Sequence, residues 1–107
     1  MIYKVRYTPL AAKDLEGVWE DVREASGETD TADSYISGMI RKIADKKTFP
    51  ESGIPLYYRG LFTGYYSVNY KAYKAFYRIR DGYIEVARVM MAKRDFMTIL
   101  FGEDEEA

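Results

Sequence analysis

Along the first part of the chain, apolar residues first occur at every second position and then at the spacing of a helix. Residues 2–8 alternate between apolar and polar, which predicts a half-buried strand. Thr8-Pro9 is a typical N-cap followed by a first helical residue. Beyond it, apolar residues recur at helical spacing until Ser26-Gly27, where the first helix should end. The members of this stripe are Ala11, Leu15, Val18 and Val22.

A second helical stripe begins at residues 29–31 and runs out near Lys47-Thr48. Because the link Ser26–Glu28 is short, the two helices are predicted to form a hairpin with one shared apolar face. Two prolines and a glycine within Phe49–Pro55 then enforce a loop. The apolar members of the second stripe are Tyr35, Ile36, Met39, Ile40 and Ile43.

From about Tyr65 the pattern has the period of strands. Asp81-Gly82 predicts a two-residue type I′ turn between strands at 73–80 and 83–91. A short last helix is expected over Arg94–Phe101. The order β-α-α-β-β-β predicts an α+β fold, with a helical hairpin on one face of a mainly antiparallel four-stranded sheet. A single domain then covers residues 1–102, and residues 103–107 form a flexible acidic tail.

Counting from the Asp81-Gly82 turn assigns the two faces of this sheet. Tyr77 should oppose Val86, Ala75 should oppose Arg88, and Lys74 should oppose Val89. The helices are expected to cover the apolar face, which holds Tyr66, Val68, Tyr70, Ala75, Tyr77, Ile79, Ile84 and Val86. The other face interleaves basic groups with aromatic and small polar ones: Tyr65, Ser67, Asn69, Lys74, Phe76, Arg78 and Arg80.

Composition narrows the chemistry that is possible. The chain has no cysteine and no histidine, so disulfides are excluded, together with the commonest metal ligand and the commonest general base. No apolar run approaches the roughly 20 residues of a membrane span, so we expect a cytoplasmic protein. We also expect it to need no metal and no cofactor. The net charge of −1 hides an uneven distribution. Residues 1–40 carry −4, residues 41–102 carry +7 and the tail carries −4, so an anionic partner remains possible for the middle of the chain.

Three segments, in order, resemble the RelE/ParE toxins, also known as the plasmid stabilisation family. They are residues 3–15, 73–79 and 88–96, which correspond to that family's opening strand and helix, central strand, and closing strand with a basic turn. The resemblance implies the toxin of a bacterial toxin–antitoxin pair, which a cognate antitoxin neutralises. It implies a metal-independent, ribosome-dependent mRNA endonuclease whose partners are the ribosome and mRNA. The alternative is a non-catalytic inhibitor of DNA gyrase, as in the ParE branch.

The resemblance also assigns roles to individual residues. Lys74 stands where RNase members have a strand arginine that contacts the scissile phosphate, and Arg94 stands where they have a second one. Tyr65 is a weak candidate for the acid that protonates the leaving oxygen. Substrate binding is assigned to Arg78, Arg80, Lys93 and Phe96, and either Phe96 or Phe101 could stack on a base.

Two observations weigh against this catalytic assignment. Tyr65 and Ser67 occupy positions where ribosome-dependent members often carry lysine or arginine, and Met91 stands where many relatives have histidine. Arg78 has a competing structural interpretation, as the ion-pair partner of Glu85 on a solvated sheet face. For Arg88 a structural ion pair is favoured over catalysis, because that residue is predicted to lie on the face that the helices cover.

Overall fold

The computed structural model describes residues 2–93 and Leu100. Its elements are β1 (Lys4–Tyr7), α1 (Pro9–Ser26), α2 (Thr29–Ala44), β2 (Ile54–Tyr58), β3 (Leu61–Tyr70), β4 (Tyr73–Arg80) and β5 (Tyr83–Met91). As predicted, the Thr8 hydroxyl caps α1 by accepting a hydrogen bond from the Ala11 N–H. Gly27 ends α1 in the left-handed conformation, which glycine adopts without strain. The helix predicted over Arg94–Phe101 and the acidic tail lie outside the described residues, Leu100 excepted.

The sheet has five strands, in the order β1-β5-β4-β3-β2, so the prediction of four is wrong. The parallel pair is β1 with β5, and the other neighbours are antiparallel. The missed strand is β2, which contains Pro55; an edge strand tolerates proline because one side of it makes no ladder. Arg59 and Gly60, both at positive φ, turn the chain from β2 into β3. Among the described residues, no helix is long and apolar enough to cross a membrane.

The helical hairpin packs on one face of the sheet, as predicted. Both apolar stripes point into the core, where Val18 of α1 meets Met39 and Ile43 of α2. Two residues that were predicted to be buried between the helices and the sheet are not: Ile40 of α2 is exposed, and Ile79 of β4 is only half-buried. The buried sheet residues beneath the helices are Val68, Tyr73, Ala75, Tyr77, Ile84, Val86 and Val89.

The pairing of β4 with β5 agrees with the prediction only as far as Tyr77, which opposes Val86. Beyond that pair a β-bulge leaves Ala87 without an opposite residue, so the predicted pairs of Ala75 with Arg88 and Lys74 with Val89 are wrong by one position. Ala75 opposes Val89 and Lys74 opposes Met90. The bulge lies where α1 begins: the Thr8 hydroxyl donates to the Ala87 carbonyl and the Thr8 N–H to the Val86 carbonyl.

We call the sheet surface turned away from α1 and α2 the far face. Its predicted polar character holds only in part, because Ser67, Phe76 and Met90 are buried there. Ser67 lies opposite Phe76 on the neighbouring strand β3, and Lys74 lies on the same face two residues before Phe76 on β4. The exposed basic residues of the far face therefore border a buried apolar centre.

Candidate anion-binding face

The strand register separates the two predicted catalytic residues that the structure describes. Lys74 lies between Asn69 and Met90, whereas Tyr65 opposes Arg78. Lys74 and Arg78 are four positions apart on β4, which corresponds to about 13 Å along a strand. Tyr65 instead belongs with Arg78, whose guanidinium carbon lies 5.7 Å from the centre of the tyrosine ring.

Three arginines converge on one carboxylate at the β1 side of the far face. Arg6 on β1 and Arg78 on β4 each donate an Nε hydrogen bond to Glu85, at 3.2 and 2.9 Å. Arg80 adds an ion pair, with its Nη1 atom 3.8 Å from Oε1. The hydrogen bond from Arg78, with the charges of all three arginines, lowers the pKa of Glu85 although its burial acts in the opposite direction. We call Arg6, Arg78 and Arg80 the arginine cluster.

The arginine cluster keeps an excess of positive charge and of hydrogen-bond donors. Three cations around one anion leave a local charge of +2. The hydrogen bonds that Arg6 and Arg78 donate to Glu85 both come from Nε, so this carboxylate leaves the Nη donors of the two guanidiniums unused. The guanidinium carbon of Arg6 also lies over the Tyr83 ring, 4.2 Å from its centre, in a cation–π contact. Planar guanidiniums with open edges suit carboxylates and phosphates.

Arg6 is the member of the cluster that the sequence analysis did not find. It reaches Glu85 because β1 pairs in parallel with β5, which places Arg6 beside a residue 79 positions further along the chain. The available signal was its position within the alternating segment 2–8, on the side opposite the apolar residues. Nothing local in the sequence identified β5 as the neighbour of β1.

Arg88 forms a closed ion pair, which confirms the structural interpretation. Its Nε and Nη2 atoms donate to the two carboxylate oxygens of Asp14 at 2.8 and 3.1 Å, and the Val89 N–H donates to the same carboxylate at 2.9 Å. The hydrogen bonds from Arg88 to Asp14 raise the pKa of the guanidinium. This pair fastens α1 to the part of β5 that β1 does not reach.

The remaining predicted site residues contribute less to this geometry. Lys93 is exposed in the turn after β5. Arg94 and Phe96 lie outside the described residues, so their predicted roles remain predictions. Within residues 2–93 and Leu100, no three Asp, Glu, His or Cys side chains lie close enough together to hold a metal ion.

A family model places the chain among known proteins. The model described as "ParE toxin of type II toxin-antitoxin system, parDE" matches residues 5–96, which is most of the chain. The chain belongs to the ParE toxin family. It is therefore a toxin of a type II toxin–antitoxin system, within the RelE/ParE superfamily that the sequence resembles. Among curated proteins no match was found.

Solved structures with this fold include both branches of the superfamily. The chromosomal ParDE system from P. aeruginosa matches with a TM-score of 0.72 and 14% identity, over 86% of this ParE-family chain and 98% of that chain. The toxin–antitoxin complex RelBE2 from Mycobacterium tuberculosis matches with a TM-score of 0.59 and 23% identity, over 85% and 99%. YafQ from E. coli matches with a TM-score of 0.50 and 12% identity, over 94% of this chain and 99% of that chain. With identities below 25%, these structural similarities show a shared fold.

Proposed function

We propose that this ParE-family toxin arrests growth by binding DNA gyrase as a non-catalytic inhibitor. The observation that carries the proposal is the geometry of the arginine cluster, in which Glu85 accepts hydrogen bonds from Arg6 and Arg78 and pairs with Arg80. Cleavage of RNA by its own 2′-hydroxyl requires a base, and the chain has no histidine to serve as one. The hydrogen bonds and charges of the cluster lower the pKa of Glu85, which weakens it as a proton acceptor. Glu85 therefore organises arginines instead of abstracting protons.

The arginine cluster is well suited to binding a protein. Arginine is enriched among the residues that dominate interface energies, because its long stem packs while its fork makes several hydrogen bonds. Here two of the three guanidiniums lie against tyrosine rings, Arg6 at Tyr83 and Arg78 at Tyr65. Prior ordering of these side chains reduces the entropy lost when a partner binds.

The same surface supports a cognate antitoxin as the second partner. The similar ParDE and RelBE2 structures are described as a toxin–antitoxin system and a toxin–antitoxin complex. In this chain, residues 41–102 carry +7, and the arginine cluster concentrates +2 of that charge on one patch. We expect an antitoxin segment with acidic side chains to cover the far face and so compete with the target.

A ribosome-dependent mRNA endonuclease is the second candidate, and Lys74 favours it. This residue lies on β4 of the far face, at the position where the resemblance places a phosphate-binding residue. Together with Arg94 it would hold one phosphate. Tyr65 would not assist there, because the register separates it from Lys74.

Parallel assays of the purified protein and of growing cells separate the two candidates. With gyrase in vitro, the wild-type chain should inhibit supercoiling, and expression in cells should cause arrest while mRNA remains intact. Arg78→Ala combined with Arg80→Ala should weaken inhibition by about tenfold or more. Lys74→Ala and the control Lys13→Ala on α1 should keep it. Cut mRNA, with arrest that Lys74→Ala relieves, would instead establish the endonuclease.

A further inference from the structure

A largely apolar groove lies on the helical side of the molecule, remote from the arginine cluster. It has a volume of about 570 Å³. Its walls come from the end of α1, the start of α2 and the adjoining ends of β4 and β5: Asp21, Val22, Ala25, Ser26, Thr31, Tyr35, Tyr73 and Met91. This size falls within the range of pockets that bind ligands. Neither the predicted site nor the proposed function uses it.

Asp21 gives this groove an uncompensated negative charge. Its carboxylate accepts a long hydrogen bond, 3.5 Å, from the hydroxyl of Tyr73. No cation among the described residues forms an ion pair with it. The surrounding hairpin adds to the effect, because residues 1–40 carry a net charge of −4. A carboxylate on an apolar wall is stabilised by a cation that brings its own apolar stem.

The aromatic residues of the groove favour a cation as well. The rings of Tyr35 and Tyr73 meet edge to face, with their centres 6.1 Å apart. The chain already places one of its own cations at this aromatic group: the Lys71 ammonium lies 5.8 Å from the Tyr35 ring and 5.6 Å from the Tyr70 ring. Lys71 does not line the groove, so the wall at Tyr73 and Asp21 remains available.

The groove is longer than a single cation needs. A second cavity of about 220 Å³ shares Asp21, Tyr73 and Met91 with it and extends along α1 past Gly17 and Val18. The continuous surface is therefore apolar on the side of Val22, and on the other side of the carboxylate it passes Val18 towards the charged pair Lys13 and Asp14. This shape fits a peptide segment better than a small amine.

We infer that this groove binds an arginine side chain, flanked by apolar residues, from a partner protein. The guanidinium is placed against Asp21, which can accept two parallel hydrogen bonds, and its flat face stacks on tyrosine. The flanking apolar residues cover Val22 and Met91, of which Met91 is exposed in the isolated chain. The inference is independent of the toxin's target, because it concerns the opposite side of the molecule.

A pair of blocked tripeptides tests the inference in the full chain by NMR titration. Leucine–arginine–leucine should cause saturable shifts at Val22, Tyr73 and Met91. The peptide with citrulline in place of arginine, which has nearly the same shape without the charge, should bind roughly tenfold more weakly. Asp21→Asn should remove this preference, whereas Glu20→Gln, which deletes a charge one residue away, should retain it.

Several outcomes would overturn the inference. Shifts confined to the far face, or none, would show that the groove does not bind such a segment. Equal affinity for the arginine and citrulline peptides would remove the role of the charge. If ethylguanidinium bound as tightly as the tripeptide, the site would be one for small cations. Should Asp21→Asn fail to fold, the comparison of the two peptides on the wild-type chain still decides the question.

Discussion

Two groups of charged side chains lie on β5, only three residues apart, and they are built in opposite ways. Asp14 and Arg88 form a one-to-one pair in which one edge of the guanidinium, its Nε and Nη2 atoms, meets both carboxylate oxygens. Glu85 instead serves three arginines, two of them through Nε. Arg88 is 24% exposed, against 38–52% for the side chains of the arginine cluster.

The difference shows how one strand supports both the fold and a binding surface. The pair of Asp14 with Arg88 is balanced in charge, so it leaves no net charge for a partner, and its value lies in joining α1 to β5. A contact with surplus arginines leaves charge and donors at the surface. The number of arginines around each carboxylate therefore indicates which of the two is structural.

Breaking the closed pair should have the largest effect. Asp14→Ala leaves the part-buried Arg88 guanidinium and the Val89 N–H without their acceptor, so we expect a loss of about 2–4 kcal/mol in the free energy of unfolding. Urea denaturation measures it. Glu16→Ala, an exposed position on the same helix, should change stability by less than about 0.5 kcal/mol. Equal effects of the two variants would show that the pair does not hold α1.

Removing the central carboxylate of the arginine cluster should cost less. Glu85→Gln should lose about 1–2 kcal/mol at neutral pH, because three arginines then repel one another at a partly exposed site. The cluster lowers the folded-state pKa of Glu85, so its stabilisation is present above the unfolded value and disappears as the pH falls through the folded value.

The stability difference between wild type and Glu85→Gln should therefore shrink in acid. Denaturation at neutral pH and near pH 3 measures the change. A difference that stays constant over this range would contradict the ionised state assigned to Glu85.

Deleting a peripheral arginine should affect stability least. Arg80→Ala removes an exposed ion pair at 3.8 Å, so the free energy of unfolding should change by less than about 0.5 kcal/mol. Binding to an anionic resin should nevertheless weaken, and the chain should elute at lower salt than wild type. Arg23→Ala on α1 carries the same change in net charge but should elute later than Arg80→Ala. Identical elution of the two variants would argue against the far face as the anion-binding surface.

The sequence predicted the local elements and some of the site, and the errors have particular causes. The Asp81-Gly82 turn fixed the first four pairs of β4 with β5 correctly. Beyond these pairs, the bulge at Ala87 shifts the register, so that Lys74 pairs with Met90 and not with Val89. The bulge depends on contacts with Thr8, and no turn residue in the sequence predicts it. The strand β2 was missed: the loop predicted for Phe49–Pro55 covers its first two residues, because Pro55 and the neighbouring glycine resemble turn residues, and no strand was predicted before about Tyr65. The roles assigned to Lys74, Tyr65 and Arg94 in catalysis remain predictions.

Period, caps and turns are properties of neighbouring residues, and they determined the helical hairpin, the β4–β5 turn and the core-facing side of β4 and of β5 as far as Val86. Only the tertiary structure decided which side chains meet. Arg6 reaches Glu85, and Asp14 reaches Arg88, across more than 70 residues of chain. Such contacts depend on the order of strands in the sheet and on where α1 crosses β5. These are set by the packing of the whole core, so no short segment of the sequence encodes them.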